Sequence, residues 1–339
     1  MTQAQMIARC LMAATASLTV AGTLVAQSPA PGSASTPTPF VVPAWAFPGN
    51  GGAPTPPPMA DSVALLSVPG SAARYTEAQT RNPLAPPDWH PEGHPPMPHI
   101  IAHGRPPAGY ACGFCHLPNG RGRPENATVA GLPAAYITQQ VQDMRSGARR
   151  SAGPAGYRPW ELMHAVAMQV SDADLAEAAA YFASIRMVRR VTVTEAERIP
   201  ASREVGFLHR LDPDRGTEPL GQRIVETPLD VRRHELRDDA SGFMAYVPPG
   251  SLARGAELAT RGIDGPASAC TTCHGPDLRG VGLIPPIAGR SAMYLMRQLV
   301  AFKTGARAGA AGQPMAIMAA KLSTDDMIAA AAYAASREP

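Results

Sequence analysis

The chain has 339 residues, 45% of them apolar, which is enough material for two packed domains of ordinary size. Charged residues make up only 17% and the formal net charge is +3, so the chain lacks the block-like basic surface of a nucleic-acid binder. Of its 30 basic residues only Lys303 and Lys321 are lysines, so any electrostatic docking face has to be built from arginine.

In chain order, Arg9 and the amino terminus give a short positive start, and Cys10 to Ala26 is an uncharged run of small and apolar residues. This reads as a signal peptide over residues 1–26, cleaved near Ala26, and predicts an exported, periplasmic protein. Cys10 stands at the start of this run, before its apolar core, whereas a lipid-accepting cysteine would follow it, so a lipoprotein is excluded. Residues 27–88 are rich in Pro, Gly, Ser and Thr and are expected to be a largely disordered tail.

Without the signal, four cysteines remain: Cys112, Cys115, Cys270 and Cys273. They lie in Cys112-Gly113-Phe114-Cys115-His116 and Cys270-Thr271-Thr272-Cys273-His274, two copies of the pattern for covalent attachment of a c-type haem. Two thiols at this spacing can add to the two vinyl groups on one porphyrin edge, and the following histidine then offers its imidazole to the iron. A four-cysteine zinc site would not need a histidine after each pair. A thioredoxin-like pair would want a βαβ context, and structural disulfides suit a two-residue spacing poorly.

The two motifs sit in an internal repeat. His274 minus His116 is 158, and the same offset links Tyr294 to Tyr136, Gln298 to Gln140 and Gly305-Ala306-Arg307 to Gly147-Ala148-Arg149. Further on, Met315 minus Met163 is 152, as is Ser323 minus Ser171, so the first copy holds six extra residues between Arg150 and Leu162. Pro133 to Ser146 and Ser291 to Thr304 are helical in pattern, each stopped by a glycine. Ser171 and Ser323, each followed three residues later by an aspartate, open a closing helix. Ser251 is placed as the cap of an opening helix in the second copy. Strand alternation is weak, so the expected fold is all-α: two tandem helical domains at 89–186 and 251–339, with a solvated connector at 187–250.

These residues resemble the class I c-type cytochromes, and the tandem form resembles the di-haem cytochromes of the c4 type. The resemblance covers about Met97 to Ile185 and Ser251 to Ser336. It implies a distal methionine on each iron, mapping to Met163 and Met315; Met168 and Met318 are the rival positions. It also implies a proline whose carbonyl orients the proximal imidazole. Pro285 fits in the second copy, but Ala127 stands at the equivalent position in the first. Expected cofactors are two covalent c-type haems, with His116 and Met163 on one iron and His274 and Met315 on the other.

Tyr136, Arg149, Tyr294 and Arg307 are candidates for binding haem propionates, since buried carboxylates need donors. His90, His94, His99 and His103 with Met97 are read as loop or packing residues rather than a copper site, because their surroundings are Pro-rich. With both axial positions filled, no iron has a vacancy for substrate. The expected function is therefore electron transfer between a redox protein donor and acceptor, such as a dehydrogenase or a terminal oxidase, with any membrane association through the partner. The competing readings are a cytochrome subunit of a larger oxidoreductase complex, and a di-haem enzyme such as a peroxidase or a thiosulfate-oxidising cytochrome.

Overall fold

The structure, a computed structural model, describes residues 40–49, 63–105 and 109–339. The signal segment 1–26 and residues 27–39 and 50–62 of the expected tail lie outside them.

The segment before the first repeat holds the short helix α1 (Glu77–Thr80), which Thr76 caps in a capping box with Gln79. The first copy then runs through α2 (His99–Ala102), α3 (Cys112–His116), α4 (Ala134–Ser146), α5 (Arg158–Gln169) and α6 (Asp172–Ser184). The chain leaves α4 at Gly147, whose φ of 77° is the left-handed conformation that a side chain resists. Ser171 caps α6 by accepting from the Asp174 amide. Ile137 of α4 and Ala178, Phe182 and Ile185 around α6 pack with Ile100 and Ile101 of α2 into the first core.

The second copy comprises α8 (Ser251–Arg261), α9 (Cys270–His274), α10 (Ala292–Lys303), α11 (Gln313–Lys321) and α12 (Thr324–Ser336). Ser291 caps α10, and Ser323 forms a full capping box with Asp326 on α12, as the spacing predicts. The cap expected from Ser251 is not made. Gly250 holds the cap position and Ser251 is the first helical residue, while the free amide of Leu252 donates to the Glu195 carboxylate at 2.7 Å.

The connector departs from the all-α expectation. It forms β1 (Val191–Glu195), β2 (Arg198–Pro200), β3 (Ser202–Val205), β4 (Leu208–Leu211), β5 (Thr217–Pro219), β6 (Val225–Pro228), α7 (Val231–Glu235) and β7 (Phe243–Val247). The largest sheet has the order β1-β7-β6, with β7 parallel to β1 and antiparallel to β6, and two ribbons pair β2 with β5 and β3 with β4. Phe243, Ala245 and Val247 are buried and alternate with the half-buried Met244 and Tyr246, the two-residue period of a strand packed on one face. The connector is thus a packed module rather than a solvated tether.

The expectation of a largely disordered tail is also corrected for its described part. Leu66 pairs with Tyr75 across an antiparallel bridge. Next to the tail, Trp89 is buried against Val68 and Leu236 and donates its indole N–H to the Leu236 carbonyl at 2.8 Å. Upstream, Phe47 meets Tyr157 edge-on, and the Ala46 carbonyl accepts from Arg297. Proline richness limits regular secondary structure, but it leaves apolar side chains free to dock on a core supplied by the rest of the chain. No described helix is long and apolar enough to cross a membrane.

Candidate haem-binding site

Each CxxCH segment is a single helical turn, α3 or α9, closed by a residue with positive φ: Leu117 at 64° and Gly275 at 81°. The turn places both thiols and the imidazole on one side. In the first copy, His116 Nδ1 donates to the Ala127 carbonyl at 2.8 Å; in the second, His274 Nδ1 donates to the Pro285 carbonyl, also at 2.8 Å. The missing proline of the first copy therefore has no geometric consequence, because the orienting group is a backbone carbonyl. With Nδ1 engaged, Nε2 is the nitrogen left to ligate a metal. Burial holds both imidazoles below their ordinary pKa against the raising effect of the carbonyl bond, and Arg149 adds to the lowering at His116. The neutral, ligating form is favoured in each.

Both turns open into one continuous, mainly apolar cavity of about 630 Å3. Cys112, Cys115, His116 and Met163 line it from the first copy, and Cys270, Cys273, His274 and Met315 from the second. Met163 lies on α5 and Met315 on α11, each within a helix that starts with a proline in its first turn. Of the two rivals, Met168 is 56% exposed and does not line the cavity, whereas Met318 does line it.

Tyr136, Arg149, Tyr294 and Arg307 also line this cavity and meet where the two copies touch. Each arginine crosses to the other copy. Arg149 donates to Tyr294 Oη at 3.0 Å and to Gln298 at 3.2 Å; Arg307 donates to Tyr136 Oη at 3.2 Å and to Gln140 at 2.5 Å. Backbone bonds tighten the same seam, Arg150 N to Ala306 O and Ala308 N to Ala148 O, both 2.7 Å. The exchange follows the internal repeat, so the contact is a pseudo-two-fold one. Gln140 and Gln298, which the motifs do not single out although the 158-residue offset links them, complete this network.

The electrostatics of this seam test whether haem fits. Arg290 is buried and, among the described residues, donates to the carbonyls of Pro286, Thr128 and Ala130. None of Arg149, Arg290 and Arg307 has a carboxylate within ion-pair reach among the described residues, and their side-chain partners are neutral tyrosine and glutamine oxygens. Burial pushes the Arg290 guanidinium down to about 10. It also pushes the Tyr136 phenol up, but Arg307 and Arg149 outweigh this and leave it below its ordinary value. Buried cations without anions are costly, and the carboxylates of haem would neutralise these three. The apolar walls, the paired thiols, the oriented imidazoles and this cationic seam all fit the group.

The surroundings of the two slots differ. Over the first, the connector's Arg237 stacks its guanidinium 3.4 Å from the Phe114 ring centroid and donates to the Phe114 carbonyl at 2.7 Å, closing the attachment turn. At the second, Thr272 and Cys273 are exposed, and Val281, Leu283 and Ile284 beside them are 58%, 67% and 37% exposed.

Residues 252–337 match the Cytochrome c family. Cytochrome c4 of Azotobacter vinelandii is 30% identical over 226 residues, 66% of this chain and 82% of that protein. A thiosulfate dehydrogenase electron acceptor of Stutzerimonas stutzeri is 28% identical over 234 residues, 68% of this chain and 80% of that protein. Among solved structures, reduced cytochrome c4 of Pseudomonas stutzeri aligns with a TM-score of 0.43 at 25% identity, covering 67% of this chain and 93% of that one. The chain belongs to the cytochrome c4 family of di-haem class I c-type cytochromes, electron carriers rather than enzymes, with covalently bound c-type haem as cofactor.

Proposed function

We propose that the protein is exported to the periplasm, carries two haems per chain, one on each CxxCH turn, and passes single electrons between a dehydrogenase-class donor and a second redox partner. The single observation that carries this reading is the continuous cavity in which both cysteine pairs, both oriented histidines and Met163 and Met315 face a shared cationic seam. Bound haem supplies the one-electron iron couple. The chain's own residues do the rest: His116 and His274 would hold the iron through Nε2, and Met163 and Met315 would supply the second ligand to each. Tyr136, Arg149, Tyr294 and Arg307 would bind the propionates at the seam between the copies. Arg237 shelters the first slot, so exchange with partners runs through the exposed Cys273 side, where Val281, Leu283 and Ile284 offer apolar contact. A second reading is favoured by the relatives named as thiosulfate dehydrogenase electron acceptors: the donor is an enzyme of that class.

The test is haem stoichiometry combined with ligand variants. Two haems per chain should survive acid-acetone extraction, and Cys270→Ala should retain one. Met163→Ala and Met315→Ala should each remove half of the weak thioether-to-iron band of the oxidised protein and lower that haem's potential. Met168→Ala should leave the band intact. Extractable haem, or loss of the band in Met168→Ala or Met318→Ala instead, overturns the assignment.

A further inference from the structure

The histidines before the first haem turn do not act as one group. His99 and His103 are exposed and tilted against each other, with ring centroids 5.1 Å apart. His94 turns inward to Asp88, at 3.1 Å, and to Tyr181. His90 reaches the connector, where Asp238 and Asp239 follow α7. Its Nε2 lies 3.0 Å from Asp238 Oδ1 and 4.0 Å from Asp239 Oδ1.

We propose that His90, Asp238 and Asp239 form a divalent transition-metal site of the zinc class, separate from the haems, that staples the segment before the first copy to the connector. One ligand atom from each residue lies within 4.8 Å of the others. Tetrahedral zinc with bonds of about 2.0–2.1 Å separates its ligands by about 3.4 Å, so the three need to move by less than an ångström or so. The other His90 nitrogen, Nδ1, lies 3.5 Å from the exposed carboxylate Glu92 Oε1, a position from which a carboxylate can steer a metal-bound imidazole. Asp238 is held in place from behind, by Arg233 Nε on Oδ2 at 2.5 Å and by the Ala240 amide on Oδ1 at 2.9 Å.

An independent observation points to a ligand. The Asp239 side chain is 1% exposed, yet neither of its carboxylate oxygens has a hydrogen-bond partner among the described residues. Buried carboxylates are ordinarily satisfied, and this one faces an imidazole nitrogen that it does not quite reach. Arg121 and Arg190 lie near Asp239 but bond to neither of its oxygens. A metal ion at Nε2 would give the unpartnered Asp239 carboxylate a ligand while leaving Nδ1 toward Glu92. Asp239, Arg121, Arg190 and Ser241 also border a void of about 20 Å3, room for about one water beside the site. One imidazole with two carboxylates selects zinc-like ions over the all-oxygen preference of magnesium and calcium and over the thiolate preference of copper(I).

The test is equilibrium dialysis of the untagged, haem-loaded full chain, stripped with chelator, against zinc ion alone, read by elemental analysis and by the thermal midpoint. One zinc per chain should bind and raise the midpoint. Asp239→Asn, which removes a buried charge at nearly constant shape, and His90→Gln should each weaken binding at least tenfold and abolish the rise. The double substitution His99→Gln with His103→Gln should change neither. No tight zinc in the parent protein, zinc that survives Asp239→Asn, or zinc lost only with His99 and His103 would overturn the site. Haem content, read by absorbance in every variant, reports folding and haem binding separately, so the outcome does not depend on the electron-transfer reading.

Discussion

The two copies share the CxxCH turn and its oriented histidine but not the way they are closed. The second opens with α8, eleven residues long and laid directly on α12. The contact is so close that a Cβ at Gly255 would lie 2.2 Å from the Ala329 carbonyl oxygen and 2.5 Å from Tyr333 Cβ. The first copy has only the four-residue α2, because Pro95, Pro96 and Pro98 cannot donate the amides of a longer helix. Its missing wall is made by distant segments instead: Trp89 docks on Leu236, His90 meets Asp238, and Arg237 covers Phe114. The two closures teach that one scaffold can be completed by its own helix or by borrowed segments, and that the borrowed closure covers the first CxxCH turn with Arg237 while the self-made one leaves Thr272 and Cys273 exposed.

The sharpest way to break this comparison is Gly255→Ala. The methyl meets backbone rather than a movable side-chain tip, so we expect a loss of about 3 kcal/mol in the second copy, seen in denaturation followed at its own haem band. A loss below about 1 kcal/mol would mean that α8 is not held where it is by close approach.

An effect of comparable size concerns Glu226, a connector residue whose side-chain hydrogen bonds run to the second copy. It is fully buried, with Oε2 accepting from Ser291 Oγ at 2.7 Å and from the Met293 amide at 2.9 Å at the start of α10, whereas α4 starts at Pro133 with no side-chain cap. Burial pushes its carboxyl up to about 7 despite these bonds. The folded protein thus binds a proton more tightly than the unfolded chain, so stability is highest below about pH 4.5 with respect to this group and falls as pH rises toward 7. The fall is of the order of 3 kcal/mol. Glu226→Gln should flatten that slope in chemical denaturation measured at several pH values; an unchanged slope would assign the pH dependence elsewhere.

The smallest effect is expected from Pro285→Ala, which gives the second copy the residue type of the first. The carbonyl at that position is retained, and Ala127 already delivers the same 2.8 Å bond. Only chain stiffness is lost, about 0.4–1 kcal/mol, with the potential of the second haem nearly unchanged in a redox titration. A large shift in potential would show that the proline ring itself, and not its carbonyl, distinguishes the slots.

What was legible in the amino-acid sequence is what depends on near neighbours. Two CxxCH motifs are local covalent chemistry, Ser171 and Ser323 cap amides three residues away, and Gly147 and Gly305 end their helices by their own φ. The repeat offset carried these features from one copy to the other and paired Met163 with Met315. Tertiary structure alone decided the rest. Val191–Glu195 and Phe243–Val247 form a parallel pair across the whole connector, and five-residue runs are too short to reveal by period that they will find each other. The His116 bond to Ala127 runs to a backbone oxygen, which leaves no mark on residue type. Arg149 and Arg307 exchange partners between copies, and Trp89 anchors a Pro-rich segment on a residue far along the chain. Caps and covalent motifs are written in adjacent residues because their energy is local, whereas the choice among distant partners is made only when the folded chain brings competing surfaces together.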